Sequence, residues 1–261
     1  MSAARRIYYF LAGHLSWVVF GSVSLALNFA CAILLVLPGH ERHGSATRAT
    51  IRRLFGAWCA WLHATRLVYV TWNGFTPERL AGPAVYIANH PGLLDATFIL
   101  ARLPDTICIF KPSVINNPAL GPAAIMAGYA SGDAGVDLIR DVAARVADGR
   151  SLLIFPEGTR TLAGVALNPL KPGFALIAAR AEVPVRLLVV RAPRDLIPKG
   201  WPWWRIPAFP AHVEILLLGE LNVAGEANAM ELTARAAQQL SAALADLPAT
   251  ANHPEPIEGP S

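Results

Sequence analysis

A histidine and an aspartate five residues apart, in Ala88-Asn89-His90-Pro91-Gly92-Leu93-Leu94-Asp95, follow directly on an apolar run. At that spacing the carboxylate can fold back across one turn onto a ring nitrogen. That contact fixes the tautomer and leaves the other nitrogen free to take a proton. About 60 residues further on, Phe155-Pro156-Glu157-Gly158-Thr159-Arg160 closes a second apolar run. Pro156 and Gly158 on either side of Glu157 force a turn that presents carboxylate, hydroxyl and guanidinium together. Arg160 is suited to bidentate capture of a phosphate, and Thr159 can add a hydroxyl contact. Taken singly, each segment also reads as ordinary loop: a helix-capping histidine, and a surface turn with a solvated Glu–Arg pair. The other histidines (His14, His40, His43, His63, His212 and His253) read as structural or solvated. No Gly-x-Ser-x-Gly elbow occurs, which speaks against a serine-centred hydrolase.

The elements that must position these residues follow from periodicity. Short apolar, β-rich runs predict strands at Leu67–Trp72, Ala84–Ala88, Thr106–Phe110, Ser151–Phe155, Val183–Val190 and Val213–Leu217. Helices are expected over Asp95–Ala101, Val136–Ala147, Gly173–Ala179 and Ala229–Leu247. Alternation of this kind predicts an α/β fold, a mostly parallel or mixed sheet flanked by helices, spanning residues 67–247. Several strands are almost continuously apolar, as suits strands covered on both faces. Both chemical segments then fall at the carboxyl ends of strands, where such folds place reactive groups. Residues 248–261 are Pro-rich and polar and read as a disordered tail.

The front of the chain is different. Between Arg6 and Glu41 there is no Asp, Glu, Lys or Arg, and Ile7 to Leu37 makes 31 uncharged residues. As a helix this run measures about 46 Å, enough for one tilted span of a hydrocarbon core of about 30 Å and too short for two. A shallow re-entrant pair hinged near Gly21-Ser22 is the competing geometry. The run is longer than a secretory signal's apolar region, so residues 1–44 read as a retained membrane anchor. Residues 45–66 read as an amphipathic helix, with Ile51, Leu54, Phe55, Trp58, Trp61, Leu62 and Thr65 on one arc and Arg52 and Arg53 opposite. Such a helix suits either the headgroup zone or packing on the domain. Trp201-Pro202-Trp203-Trp204 is open to the same two readings.

Composition sets the class. The chain has 261 residues, 54% hydrophobic and 15% charged, with a net charge of +4. Residues 1–80 carry eight arginines against Glu41 and Glu78, so the positive charge belongs to the most apolar part of the chain. That pairing points to a membrane with anionic lipid and away from nucleic acid. Positive-inside counting leans towards a cytoplasmic body on a cytoplasmic (inner) membrane. Cys31, Cys59 and Cys108 have no metal or redox spacing and read as small buried hydrophobes.

The combination of Asn-His-x-x-x-x-Asp with a later Phe-Pro-Glu-Gly-Thr-Arg resembles the lysophosphatidic acid acyltransferase family, the 1-acylglycerol-3-phosphate acyltransferases and their relatives. The resemblance covers about Tyr69 to Val190. Lys111-Pro112, Pro169-Leu170-Lys171-Pro172-Gly173-Phe174 and Val183-Pro184-Val185 resemble further blocks of the family. It implies a membrane-bound O-acyltransferase that moves a fatty acyl group from acyl-CoA or acyl carrier protein to a lipid hydroxyl. His90 would be the general base and Asp95 its support. Asn89, Lys111, Glu157, Gly158, Thr159, Arg160 and Lys171 would hold substrate. No metal or cofactor is implied, because a thioester is already activated. One departure stands out. Members acting on glycerol phosphate carry an Ile-Phe-type run ending in Arg between the two main blocks, and here residues 127–135 contain no Arg. Acceptors other than glycerol phosphate, such as ornithine lipids or lipids of polyene pigment pathways, therefore stay open beside a lysophospholipid. So do hydrolysis at the same base and a non-catalytic lipid-binding role.

Overall fold

The computed structural model describes residues 2–118, 120–132, 135–193, 196, 200, 201, 205, 207–223 and 228–245. Pro202, Trp203 and Trp204 of the tryptophan cluster, and the 248–261 tail, lie outside them. The chain runs through α1 (Ala3–Leu35), α2 (Gly44–Ala64), β1 (Val68–Asn73), β2 (Val85–Ala88), α3 (Asp95–Leu100) and β3 (Thr106–Phe110). It continues through α4 (Pro112–Ile115), α5 (Gly121–Met126), β4 (Ala130–Ser131), α6 (Gly135–Ala147) and β5 (Ser151–Ile154). It ends with α7 (Gly173–Ala181), β6 (Val185–Arg191), β7 (Ala211–Leu221) and α8 (Ala229–Ala245). The seven strands form one sheet in the order β1-β7-β6-β2-β5-β3-β4. Every neighbouring pair is parallel except β6 with β7, so the sheet is mixed, as expected.

Topology places the helices. The step from β2 to β3 and the step from β4 to β5 run in opposite directions along the sheet. Right-handed crossovers therefore put α3 on one face and α6, with α7, on the other. Both faces being covered, β2 is buried at all four positions and β6 at six of seven. Tyr86, Ile87, Leu152, Leu153, Leu187, Phe98 and Phe174 form the centre of one continuous core.

The apolar N-terminal run is one helix. α1 passes unbroken through Gly21-Ser22, so the re-entrant hinge does not form. A narrow stripe, Tyr9, Gly13, Ser16, Asn28 and Cys31, is buried against the domain. Ile7, Phe10, Leu11, Leu15, Val18, Leu25, Phe29 and Ile33 on the remaining surface are exposed. Asn28 fixes the C-terminal half, its Oδ1 accepting the Ala123 N–H of α5 at 2.9 Å. α1 is long and apolar enough to cross a membrane.

α2 lies between α1 and the domain. Trp58 donates its indole N–H to Ser16 Oγ at 3.2 Å and stacks on Phe98 of α3. Leu54, Phe55 and Trp61 on the same arc line an apolar cleft of about 240 Å³ together with Val19, Phe20 and Val23 of α1. Arg52 and Arg53 are exposed, whereas Arg48 of the same helix is turned inward. Its Nε donates to Asp105 Oδ1 at 2.7 Å and its Nη1 to the Ala127 carbonyl at 2.9 Å. The three cysteines are buried free thiols; burial pushes Cys59 up to about 12, which makes it unreactive.

Candidate active site

Parallel register brings the two chemical segments together. Ile87 of β2 lies opposite Ile154 of β5, and the next residues of each strand run out at the same sheet edge. Continued by three residues, that register sets His90 level with Glu157. β3 pairs with the other side of β5, so Lys111 leaves the sheet on this edge too. It is the exposed N-cap of α4.

The local chain around His90 is held in detail. Asn89 is 2% exposed and works as a clip: its Nδ2 donates to the Val190 carbonyl (2.9 Å) and its Oδ1 accepts the Val190 N–H (2.7 Å). Its side chain continues the β2–β6 ladder while the main chain leaves it. Both amide atoms of Asn89, expected from sequence to contact substrate, are thus engaged with the Val190 main chain. His90 stacks flat on Phe155 at 4.2 Å, and its Nδ1 lies 2.9 Å from Asp95 Oδ2. That oxygen also accepts the Gly92 N–H at 2.8 Å. A side chain at Gly92 would meet the Leu196 carbonyl at 3.1 Å and Asp95 Oδ1 at 3.2 Å, so it would crowd the carboxylate that faces His90. The imidazole is 20% exposed and the Asp95 side chain 2%. No hydrogen bond to the His90 Nε2 is formed among the described residues. Burial pushes the Asp95 carboxyl above the usual carboxylate range, opposed by its bonds to His90 and Gly92 and by the charge of Arg160.

The turn after β5 divides its residues. Glu157 is 4% exposed, and its carboxylate accepts three hydrogen bonds: the His90 N–H at 2.8 Å, the Thr161 hydroxyl at 2.9 Å and the Asn168 N–H at 2.9 Å. A carboxylate so engaged faces the protein's own main chain and Thr161. Gly158 sits at φ +69°, and a Cβ there would lie 2.9 Å from Lys171 Nζ, so the Lys171 stem crosses the bare face of the glycine. Thr159 and Arg160 are half-buried and Lys171 is exposed. The site therefore collects His90, Asp95, Arg160, Gly158 and Lys171, with Lys111 on the same edge. Gly92, Phe155, Thr161 and Asn168 were not singled out from sequence. Thr161 and Asn168 bracket Leu162-Ala163-Gly164-Val165-Ala166-Leu167, and nothing in their type says that they turn inward; Phe155 read only as the end of a strand.

At the position of the missing arginine, β4 and the following turn read Ala130-Ser131-Gly132. Two guanidiniums reach this corner from other elements, Arg48 to the Ala127 carbonyl and Arg145 to the Gly128 carbonyl at 2.6 Å. Arg140 lies in α6, exposed and paired with Asp137 and Asp141.

Residues 70–190 match the acyltransferase family model. A 1-acyl-sn-glycerol-3-phosphate acyltransferase of Helicobacter pylori is 30% identical over 177 residues, covering 64% of this chain and 70% of the relative. The chain belongs to the lysophosphatidic acid acyltransferase family. A lyso-ornithine lipid O-acyltransferase of Pseudomonas aeruginosa is 31% identical over 207 residues, 77% of this chain and 76% of the relative. Against three plant acyltransferases of the family the chain spans 37%, 36% and 56% of their length. The crystal structure of the 1-acyl-sn-glycerophosphate acyltransferase PlsC from Thermotoga maritima shares the fold with a TM-score of 0.70, at 19% identity, covering 95% of this chain and all of that one.

Proposed function

We propose that the protein is a membrane-bound O-acyltransferase that moves a fatty acyl group from acyl-CoA or acyl carrier protein to a hydroxyl of a lysophospholipid. The observation that carries this is the His90–Asp95 pair, with Nδ1 held at 2.9 Å and Nε2 without a hydrogen-bond partner among the described residues, beside a partly open surface. Nε2 takes the proton of the acceptor hydroxyl as its oxygen attacks the thioester carbonyl. The C–S bond then breaks, and the thiolate leaves with the proton returned from His90. Asp95 holds the Nδ1–H tautomer and faces the imidazolium that forms in between. Thr159, Arg160, Lys111 and Lys171 supply hydroxyl and cations for an anionic headgroup. α1, with its exposed apolar surface, anchors the enzyme, with the catalytic domain on the cytoplasmic side where the basic residues concentrate. No step calls for a metal or a cofactor, since the thioester supplies the activation.

A second reading of the acceptor, a lyso-ornithine type lipid, is supported by the uncharged Ala130-Ser131-Gly132 segment and by the Pseudomonas relative. Thiol release from palmitoyl-CoA and palmitoyl–acyl carrier protein, with lysophosphatidic acid, a lyso-ornithine lipid or no acceptor, tests both. Acceptor-dependent release that falls by about 10²–10⁴ in His90→Ala is expected. Wild-type turnover in that variant would overturn the mechanism, and release without acceptor would make the protein a thioesterase.

A further inference from the structure

Residues placed at the end of a strand lose the ladder partners of their peptide groups, and those groups must find others. At His90 both are found in one short segment. The His90 N–H donates to Glu157 Oε1 at 2.8 Å, and the His90 carbonyl accepts the Thr161 N–H at 2.7 Å. Thr161 Oγ1 closes the circuit by donating to the same Glu157 Oε1 at 2.9 Å. The outer oxygen of Glu157 accepts the Asn168 N–H, which ties the far end of the loop to the same carboxylate. His90 is thereby gripped by its main chain from the turn after β5 and by its ring from Asp95, two attachments that share no atom.

We propose that Glu157 and Thr161 are positioning residues for His90: they set the place from which the imidazole works and make no contact with the acceptor. This rests on the reading of His90 as the base. Glu157 is nearly solvent-free and its oxygens are taken, so substrate would have to break the ring to reach it. The same turn carries Thr159 and Arg160, so the base and the anion-holding groups belong to one rigid unit. Displacing a base by a fraction of an ångström lowers the rate of the chemical step and leaves substrate binding alone, a loss of about 10- to 100-fold.

The test uses the full-length protein in detergent and three variants. Thr161→Val keeps the volume and loses the donor, Thr161→Ser restores the donor, and Glu157→Gln puts an N–H against the Asn168 N–H. Thr161→Val is expected to lower kcat by about tenfold with the acceptor KM within twofold of wild type. Thr161→Ser should recover most of kcat, and Glu157→Gln should lose more than Thr161→Val. Amide exchange read by mass spectrometry should quicken in the peptide containing His90 for Thr161→Val and stay slow for Thr161→Ser. The exchange measurement does not depend on activity. If wild type transfers no acyl group to any acceptor, the proposed function fails and exchange alone decides on the ring. A raised acceptor KM with kcat intact would overturn the positioning role, and so would unchanged exchange and kcat in both Thr161→Val and Glu157→Gln.

Discussion

Replacing Asp95 by Asn removes the most deeply buried charge of the site while keeping its shape. Asp95 Oδ2 accepts both the His90 Nδ1–H and the Gly92 N–H, and an amide oxygen at that point accepts both as well. What is lost is the negative charge facing the imidazolium that forms when His90 takes a proton. Ring charge and carboxylate lie about 4 Å apart in that state, and at an effective dielectric constant of about 20 their attraction is about 4 kcal/mol. At 1.36 kcal/mol per decade this is about a 10³-fold loss of turnover. Stability moves the other way. Burial raises the Asp95 carboxyl, so the folded chain binds that proton more tightly than the unfolded chain does. Its contribution is therefore full below the unfolded value of about 3.9 and is lost as pH rises through the folded one. The amide has no carboxyl to ionise, so the variant is free of that loss of stability with rising pH. Turnover at saturating substrates and Tm by scanning fluorimetry from about pH 4 to about pH 8 check both halves. The expected variant is about 10³-fold slower, with a Tm at pH 7 equal to or above wild type. Turnover within tenfold of wild type would refute the charge argument; a Tm lower by more than about 5 °C at pH 7 would refute the sign of the stability term.

Arg160→Ala should raise the acceptor KM for lysophosphatidic acid at least tenfold and that for a lyso-ornithine lipid less; equal changes, read in the same thiol-release assay, would mark Arg160 as structural. Asn89→Ala leaves the Val190 N–H and carbonyl without partners at a buried position and should cost about 2–4 kcal/mol, measured by urea unfolding. A cost under about 0.5 kcal/mol would mean the clip is dispensable. Gly158→Ala forces a side chain onto a left-handed backbone and pushes Lys171 away; the acceptor KM should rise together with a loss of about 1 kcal/mol of stability, and an unchanged KM would remove Lys171 from the site.

Much of the sheet was legible because its strands are apolar runs bounded by turn residues, and β3 matches its expected span residue for residue. α4, α5 and β4 were not. At four, six and two residues they are too short to show a period, and their conformation is imposed by neighbours. β7 extends to Leu221, beyond the expected Leu217, because pairing with β6 continues past the bulge at Leu187/Leu188. Within the site, His90 and Asp95 were visible as a pair because five residues make one turn. The roles of Asn89 and Glu157 were not, since residue type does not say whether an amide or a carboxylate faces substrate or main chain. Only the pairing of β2 with β5 and β6 decides that, and pairing across 67 and 101 residues leaves no local trace.

On the acyl-transfer reading, anion recognition is concentrated on one side of the base. Arg48 and Arg145 approach the corner at 127–128 from behind, and each is engaged with a backbone carbonyl there. Arg48 is held further by Asp105, so swinging it towards an acceptor would strand a carboxylate and a carbonyl together. Among the described residues the cations this reading assigns to the headgroup are then Arg160, Lys111 and Lys171, from the turns after β5 and β3 and the segment entering α7. Three cations of which only one is a guanidinium define charge more than shape, because ammonium groups bind as point charges without a fork to match. Such a site tolerates a change of headgroup from phosphate to another anion more readily than one with a second arginine at β4. The absence of that arginine is thus a statement about selectivity, while the His90 machinery, supported from β5 and α3, stays independent of which lipid hydroxyl is acylated.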